Sequence, residues 1–175
     1  MADPTSSLPD LVLSGQTGQV LSHPDDGHPA VLVQVALRWA DMDAYGHVNN
    51  VQVARVLEEA RIGAFGVPGG TGAPGLAAPV SLLGEGMPEG TQALIAEHTV
   101  KYRKPLEYRT VPVQVWVWVS AVKGASVEIA YSVRDGVEGT ECVSATTTMV
   151  FADPSTGRPV RLTDQQRAAL AALQG

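Results

Sequence analysis

An α+β fold, one long helix covered by an antiparallel sheet, is predicted by three features of this 175-residue chain. One amphipathic helical stretch, from Asn50 to Phe65, stands alone in its first half. After Gly90 four stretches alternate in polarity with a period of two, and each is bounded by turn residues. Connections that short join antiparallel neighbours rather than parallel ones. The length suits one domain with a sizeable core.

In chain order, residues 1–29 are rich in Pro, Ser, Gly and Asp and are expected to form a flexible arm, with a short strand at Leu11–Leu13 or Gln19–Leu21. The domain proper is expected over residues 30–163, opening with the alternating strand Val31–Trp39. In the helix, Val53, Val56, Leu57, Ala60 and Ala64 form one apolar stripe. Arg55 with Glu59 and Glu58 with Arg61 make ion pairs on its other side. Asn49 suits the N-cap, and Gly66 followed by Pro68 suits the end. Such a helix is about 24 Å long, enough to cross a small sheet. Gly66–Pro79 and Gly84–Gly90 are loops by composition.

The four later strands are predicted at Ala93–Tyr102, Val111–Val122, Ser126–Arg134 and Cys142–Phe151. The second is apolar on both faces, with valines on one side and Trp116 and Trp118 on the other. One face can cover the helix, and the other calls for a second partner, which suggests an oligomer interface. Thr163 three residues before Gln166 is a capping box that opens a short C-terminal helix over residues 164–175.

Composition excludes several function classes. Net charge is −6 with only 12 Lys and Arg, so phosphate-backbone binding lacks its cations and no nucleic-acid partner is expected. One cysteine, Cys142, excludes an internal disulfide and a cysteine-rich zinc site. The N-terminal residues carry neither a basic nor an apolar leader region, and no apolar run is long enough for a membrane span, so a cytoplasmic location without membrane contact is expected.

The chemistry concentrates in "RWADMDAYGHVNN", Arg38 to Asn50. Asp41, Asp43 and Asn49 suit a turn and cap at a strand-to-helix junction. D-x-D-x₃-H offers three metal ligands, Asp41, Asp43 and His47, with no further ligand at usable spacing. A third possibility is hydrolytic. A carboxylate just before a helix N-terminus lies beside backbone N–H groups that can polarise a carbonyl oxygen. That pairing supports acyl transfer, most usefully on a thioester, whose thiolate leaves with little protonation.

The motif "RWADMDAYGHVNN…LEEAR" resembles the signature of the hotdog-fold acyl-CoA thioesterases of the 4-hydroxybenzoyl-CoA thioesterase type. The resemblance continues through "VKYRKPLEYRTVPVQVWV", "VKGASVEIAYSV" and "TTTMVFADPSTGRPVRL", over about residues 31–162. It implies a hotdog fold, pairing into a homodimer or homotetramer with active sites between subunits, and hydrolysis of an acyl-CoA. Asp43 matches the catalytic carboxylate, as nucleophile or as general base on water, and the backbone N–H of Asn50 matches the group that polarises the thioester carbonyl. His47 either lines the acyl pocket, orients a water or is a packed loop histidine. Tyr45 and Asn49, in the same motif, are expected to contact substrate. Val53 and Val56 stand where many relatives carry tyrosine, which implies a different acyl group. No metal and no separate cofactor are implied, because CoA enters as part of the substrate. A non-catalytic hotdog protein that binds acyl ligands is the alternative.

CoA phosphates need local positive charge. "KYRKPLEYR" supplies Lys101, Arg103, Lys104 and Arg109, with Lys101 and Arg103 on one strand face. A sheet edge charged against aggregation would look the same. "VKGAS" offers Lys123 and the Gly124 backbone at a hairpin turn with Ser126 beside it, which the resemblance favours for CoA, against an ordinary turn lysine.

Overall fold

The computed structural model describes residues 18–66 and 87–175. Strands β1 (Gln19–Ser22), β2 (Pro29–Val35), β3 (Gln92–Tyr102), β4 (Val113–Val122), β5 (Ser126–Arg134) and β6 (Glu141–Ala152) form one antiparallel sheet. Its order is β1-β2-β4-β5-β6-β3, and helices α1 (Asn50–Phe65) and α2 (Asp164–Ala171) complete the fold. The wrapped-helix α+β architecture predicted above, the hotdog fold, is therefore the one observed.

Alternation along each strand sorts the sheet into two faces. Val31 and Val33 of β2, Val115 and Val117 of β4, Ile129 and Tyr131 of β5 and Met149 of β6 join the apolar stripe of α1 (Val53, Val56, Leu57, Ala60, Ala64) in one core. Burying such side chains contributes roughly 1.5–3 kcal/mol each before entropy is counted. α1 begins and ends where its signals place it. The Asn49 side chain accepts from the Val51 N–H, and Gly66, at φ 80°, donates its N–H to the Ile62 carbonyl. α2 opens with the Thr163–Gln166 capping box and buries Leu170 in the core. No described helix is long and apolar enough to cross a membrane.

Several expectations need correction. Leu11–Leu13 and most of the two Gly/Pro-rich loops lie outside the described residues. The short strand expected at Gln19–Leu21 forms as β1 (Gln19–Ser22), and a tight turn leads from it into β2, so residues 19–29 belong to the sheet and not to a flexible arm. β2 stops at Val35, not Trp39, because the chain turns through a 3-10 helix at Trp39–Asp41 that the Asp41 carboxylate caps. β3 does not neighbour β4. It pairs with β6 at the sheet edge, and residues 103–112 return the chain to the centre. Alternation reports which face a side chain takes, and it is silent about which strand lies beside it. Arg61, expected on the solvent side of α1, is buried.

Within the chain the Trp face of β4 is covered in part: Trp116 is buried, whereas Trp118 stays partly exposed. His23 sits edge-on to Trp116 and 5.1 Å from the Trp118 ring, and His28 lies 4.9 Å from Trp118. An ion pair from Asp25 to Arg134 ties the same turn to β5. Exposed apolar side chains lie on both edge strands, Val20 and Leu21 on β1 and Leu94, Ile95 and Tyr102 on β3.

Candidate active site

The segment from Arg38 to Asn50 folds as a closed loop. Asp41 is fully buried and accepts from the Arg38 N–H at 2.7 Å and the Arg38 guanidinium at 3.1 Å. It also forms an ion pair with Arg55, one turn into α1. Burial alone would raise its pKa. The Arg38 N–H and guanidinium, with Arg55, outweigh that and hold the carboxyl below the ordinary carboxylate range. The Asp41 carbonyl then accepts the Asn49 N–H at 2.8 Å, so both ends of the loop meet on this residue. Asp41 therefore faces two guanidinium groups, an arrangement that repels a metal ion.

Asp43 is placed differently. Its backbone N–H donates to the His47 carbonyl at 2.7 Å. Its Oδ1 accepts from the N–H groups of Tyr45 at 2.8 Å and His47 at 3.1 Å. Gly46, at φ 83°, supplies the left-handed residue this turn requires. The second carboxylate oxygen has no partner among the described residues. Residues 106–108 brace the loop from outside, with Val48 N–H on the Leu106 carbonyl at 2.7 Å and Tyr108 N–H on the Gly46 carbonyl at 3.2 Å.

A cleft of about 430 Å³ opens where this loop meets α1 and the end of β3. Asp43, His47, Asn49 and Asn50 form its polar wall, Val48, Val53, Leu106 and Val143 its apolar wall, and Arg103 and Lys104 stand beside them. Asn50 is the first helical residue, and its N–H has no partner among the described residues. The positive end of the helix dipole thus lies on the same cleft as Asp43. Tyr102 closes one side, its hydroxyl donating to the Asn50 carbonyl at 3.3 Å.

Of the residues singled out from sequence, Asp43, His47, Asn49, Asn50, Val53, Arg103 and Lys104 come together here. Asn49 has its side-chain oxygen engaged as the helix cap. Tyr45 is 85% exposed and stands outside the cleft. Lys101 faces the opposite side of the sheet, in a second depression with Thr99, Trp118 and Ser144, and Arg103 lines both. Arg103 also pairs with Glu141 at 2.7 Å. Lys123, Gly124 and Ser126 form the β4–β5 turn, away from the cleft: Ser126 pairs with Val150, while the cleft is lined by Val143. The residue steps between those two positions span about 23 Å at the usual strand rise. Tyr102, Leu106 and Val143 were not singled out. Their only signal is position, an aromatic ending one strand and apolar residues near the β3–β4 return, and the return itself was not anticipated.

Residues 37–170 match the family model for the thioesterase-like superfamily. The uncharacterized protein YsmA of Bacillus subtilis (strain 168) is 25% identical over 138 residues, 78% of this chain and 82% of that protein. The PA5185 protein of Pseudomonas aeruginosa PAO1 superposes with a TM-score of 0.64 at 21% identity, covering 91% of this chain and 97% of that one. A thioesterase from Thermus thermophilus, crystallised with coenzyme A and Zn, superposes with a TM-score of 0.61 at 26% identity, covering 82% of this chain and 93% of its own.

Proposed function

The chain belongs to the thioesterase-like superfamily, and from that premise we propose that it hydrolyses an acyl-CoA thioester to a carboxylic acid and CoA. One observation carries this: the open oxygen of Asp43 and the unpartnered N–H at the start of α1 share one cleft. The thioester carbonyl oxygen accepts from the Asn50 N–H, so the charge that develops on it meets the helix N-terminus. The Asp43 oxygen not held by Tyr45 and His47 then attacks the carbonyl carbon, or removes a proton from an attacking water. The C–S bond breaks and the CoA thiolate leaves; on the first route water then cleaves the acyl–Asp43 anhydride, releasing the acid and restoring the carboxylate, and on the second the acid forms directly. His47 holds the carboxylate through its backbone N–H and lines the cleft for the acyl group, with Val53 and Leu106 as its apolar surface.

The site is completed by a second copy of the chain. Among the described residues β3 is an edge strand with its outer side unpaired and apolar side chains exposed, and a two-fold pair built across it runs antiparallel. Such pairing brings the Gln92 end of one β3 beside the Tyr102 end of the other. The β4–β5 turn lies toward the Gln92 end, since Val127 pairs with Met149 and Met149 with Ile95. Lys123, Gly124 and Ser126 of the partner subunit would then approach the cleft and, with Arg103 and Lys104, supply the positive charge and N–H groups for CoA. Tyr45 would be covered at the same junction.

A panel of acyl-CoAs with a thiol reagent tests the proposal against Asp43→Ala. Thiol release by the natural protein that disappears in the variant is expected. Release at the natural rate by Asp43→Ala overturns the role of Asp43, and tight binding without release by the natural protein points to an acyl-ligand binding protein. Single turnover in ¹⁸O-water tests the nucleophilic route, since label in the Asp43 carboxylate requires an acyl-enzyme opened by water at the Asp43 carbonyl.

A further inference from the structure

The turn between β1 and β2 carries a second cluster that the hydrolytic site does not use. Its sequence is "HPDDGH", His23 to His28. The His23 N–H donates to the His28 carbonyl and the Gly27 N–H to the His23 carbonyl, both at 2.8 Å, and Gly27 sits at φ 79°. This turn holds His23, Asp26 and His28 so that one ligand atom from each lies within 4.8 Å of the others. Asp26 Oδ1 is 3.4 Å from His23 Nδ1 and 2.5 Å from His28 Nδ1.

We propose that His23, Asp26 and His28 bind a divalent transition-metal ion of the Zn²⁺ type. Two imidazoles and one carboxylate are a borderline ligand set, suited to Zn²⁺, Ni²⁺ or Cu²⁺ and poorly suited to Mg²⁺ or Ca²⁺. With bonds of about 2.0–2.2 Å, a tetrahedral ion holds its ligand atoms roughly 3.4 Å apart. The Asp26–His23 separation already has that value, and the Asp26–His28 hydrogen bond must open by about 1 Å. Asp26 is 63% exposed on a turn and can give that movement. The rings now stack 4.7 Å apart and nearly parallel. An ion lies in the plane of each imidazole it binds, so the two rings must turn out of the stack.

His23 is only 5% exposed and His28 15%, and both rings turn Nδ1 toward the Asp26 carboxylate, so those two nitrogens are the atoms that would share the ion. The surroundings favour a cation on balance, with the Asp25 and Asp26 carboxylates facing one guanidinium, Arg134. Three protein ligands leave one position for water. The ion would pin the β1–β2 turn over Trp116 and Trp118, on the sheet face opposite α1, so it acts on stability and not on thioester cleavage.

The test uses full-length protein without a histidine tag, stripped with chelator and titrated with Zn²⁺ by calorimetry, with Co²⁺ absorption reporting the coordination. One ion per chain is expected, with a rise in thermal midpoint. Asp26→Ala, at an exposed position, and His28→Ala should each weaken binding by at least about tenfold and lose the thermal shift. Failure of the natural protein to take up either ion overturns the proposal, as does equal affinity in Asp26→Ala. Should hydrolysis fail in every assay, these measurements still stand, because none of them reads activity.

Discussion

The loop of residues 38–49 and the turn of residues 23–28 both gather aspartate and histidine into a few positions, yet they use their carboxylates differently. In the turn, Asp25 is committed to Arg134 and Asp26 lies between two imidazoles. In the loop, Asp41 is sealed against Arg38 and Arg55, while Asp43, two residues on, keeps one oxygen free on a cleft. The difference does not lie in the acids themselves. It lies in whether a guanidinium from another element reaches them, so one loop holds a support, Asp41, beside the acid proposed as the reagent, Asp43.

The largest expected effect tests that division directly. Asp43→Asn keeps an oxygen for the Tyr45 and His47 N–H groups but removes the charge, so kcat should fall by about 10²–10⁴-fold with little change in thermal midpoint. Steady-state kinetics beside a melting curve checks this, and a large loss of stability would make Asp43 a support as well. Asp41→Asn should do the reverse. Breaking a buried ion pair costs about 3–5 kcal/mol, but here Arg55 retains Glu59 and Arg38 is 60% exposed, so about 2–3 kcal/mol is expected from urea unfolding. The Asp41 carboxyl is held below its unfolded value of about 3.9. The unfolded chain therefore binds more protons in the window below that value, and stability from Asp41 is full above it and lost as pH falls through the folded value. The variant should lack that part of the acid transition.

A smaller effect is expected at the cap. Asn49→Ala should cost about 0.5–1 kcal/mol, at the low end because the Asn50 side chain also accepts from the Val51 N–H at 3.0 Å. If the Asn50 N–H polarises the thioester, kcat should fall severalfold as the first turn frays, whereas a pure stability loss would leave kcat intact.

How far these features could be read from the amino acids follows from the range of the interactions behind them. α1 was legible to its ends because the stripe, Asn49 and Gly66 act within a few residues, and the Thr163–Gln166 box was legible for the same reason. The pairing of β3 with β6 was not, since alternation carries no information about neighbours. The candidate site was legible as a motif, with Asp43 set apart from Asp41 by the family resemblance, but the contacts that distinguish the two acids were not. Asp41 and Asp43 differ through Arg55, which stands 14 residues from Asp41. In residues 19–29 the first strand was legible as Gln19–Leu21, but its packing was not, because His23 and His28 lie against Trp116 and Trp118, far along the chain.

The smallest expected effect probes the other side of the comparison. Arg134 is buried and bonds to the Ser132 hydroxyl at 3.2 Å and the Gly139 carbonyl at 3.2 Å as well as to Asp25. Asp25→Asn removes a charge that is 59% exposed, so water already screens the pair, and the guanidinium keeps two other acceptors. The loss should stay below about 1 kcal/mol and shrink as salt is raised, with kcat on any accepted acyl-CoA unchanged. Asp41→Asn, whose acid is fully buried, should be far less sensitive to salt. Measuring both variants in urea at low and high ionic strength compares a buried acid facing two guanidinium groups with an exposed acid facing one. Equal losses with equal salt dependence would mean that the two acids do the same work, and that Asp41 is no more a support than Asp25.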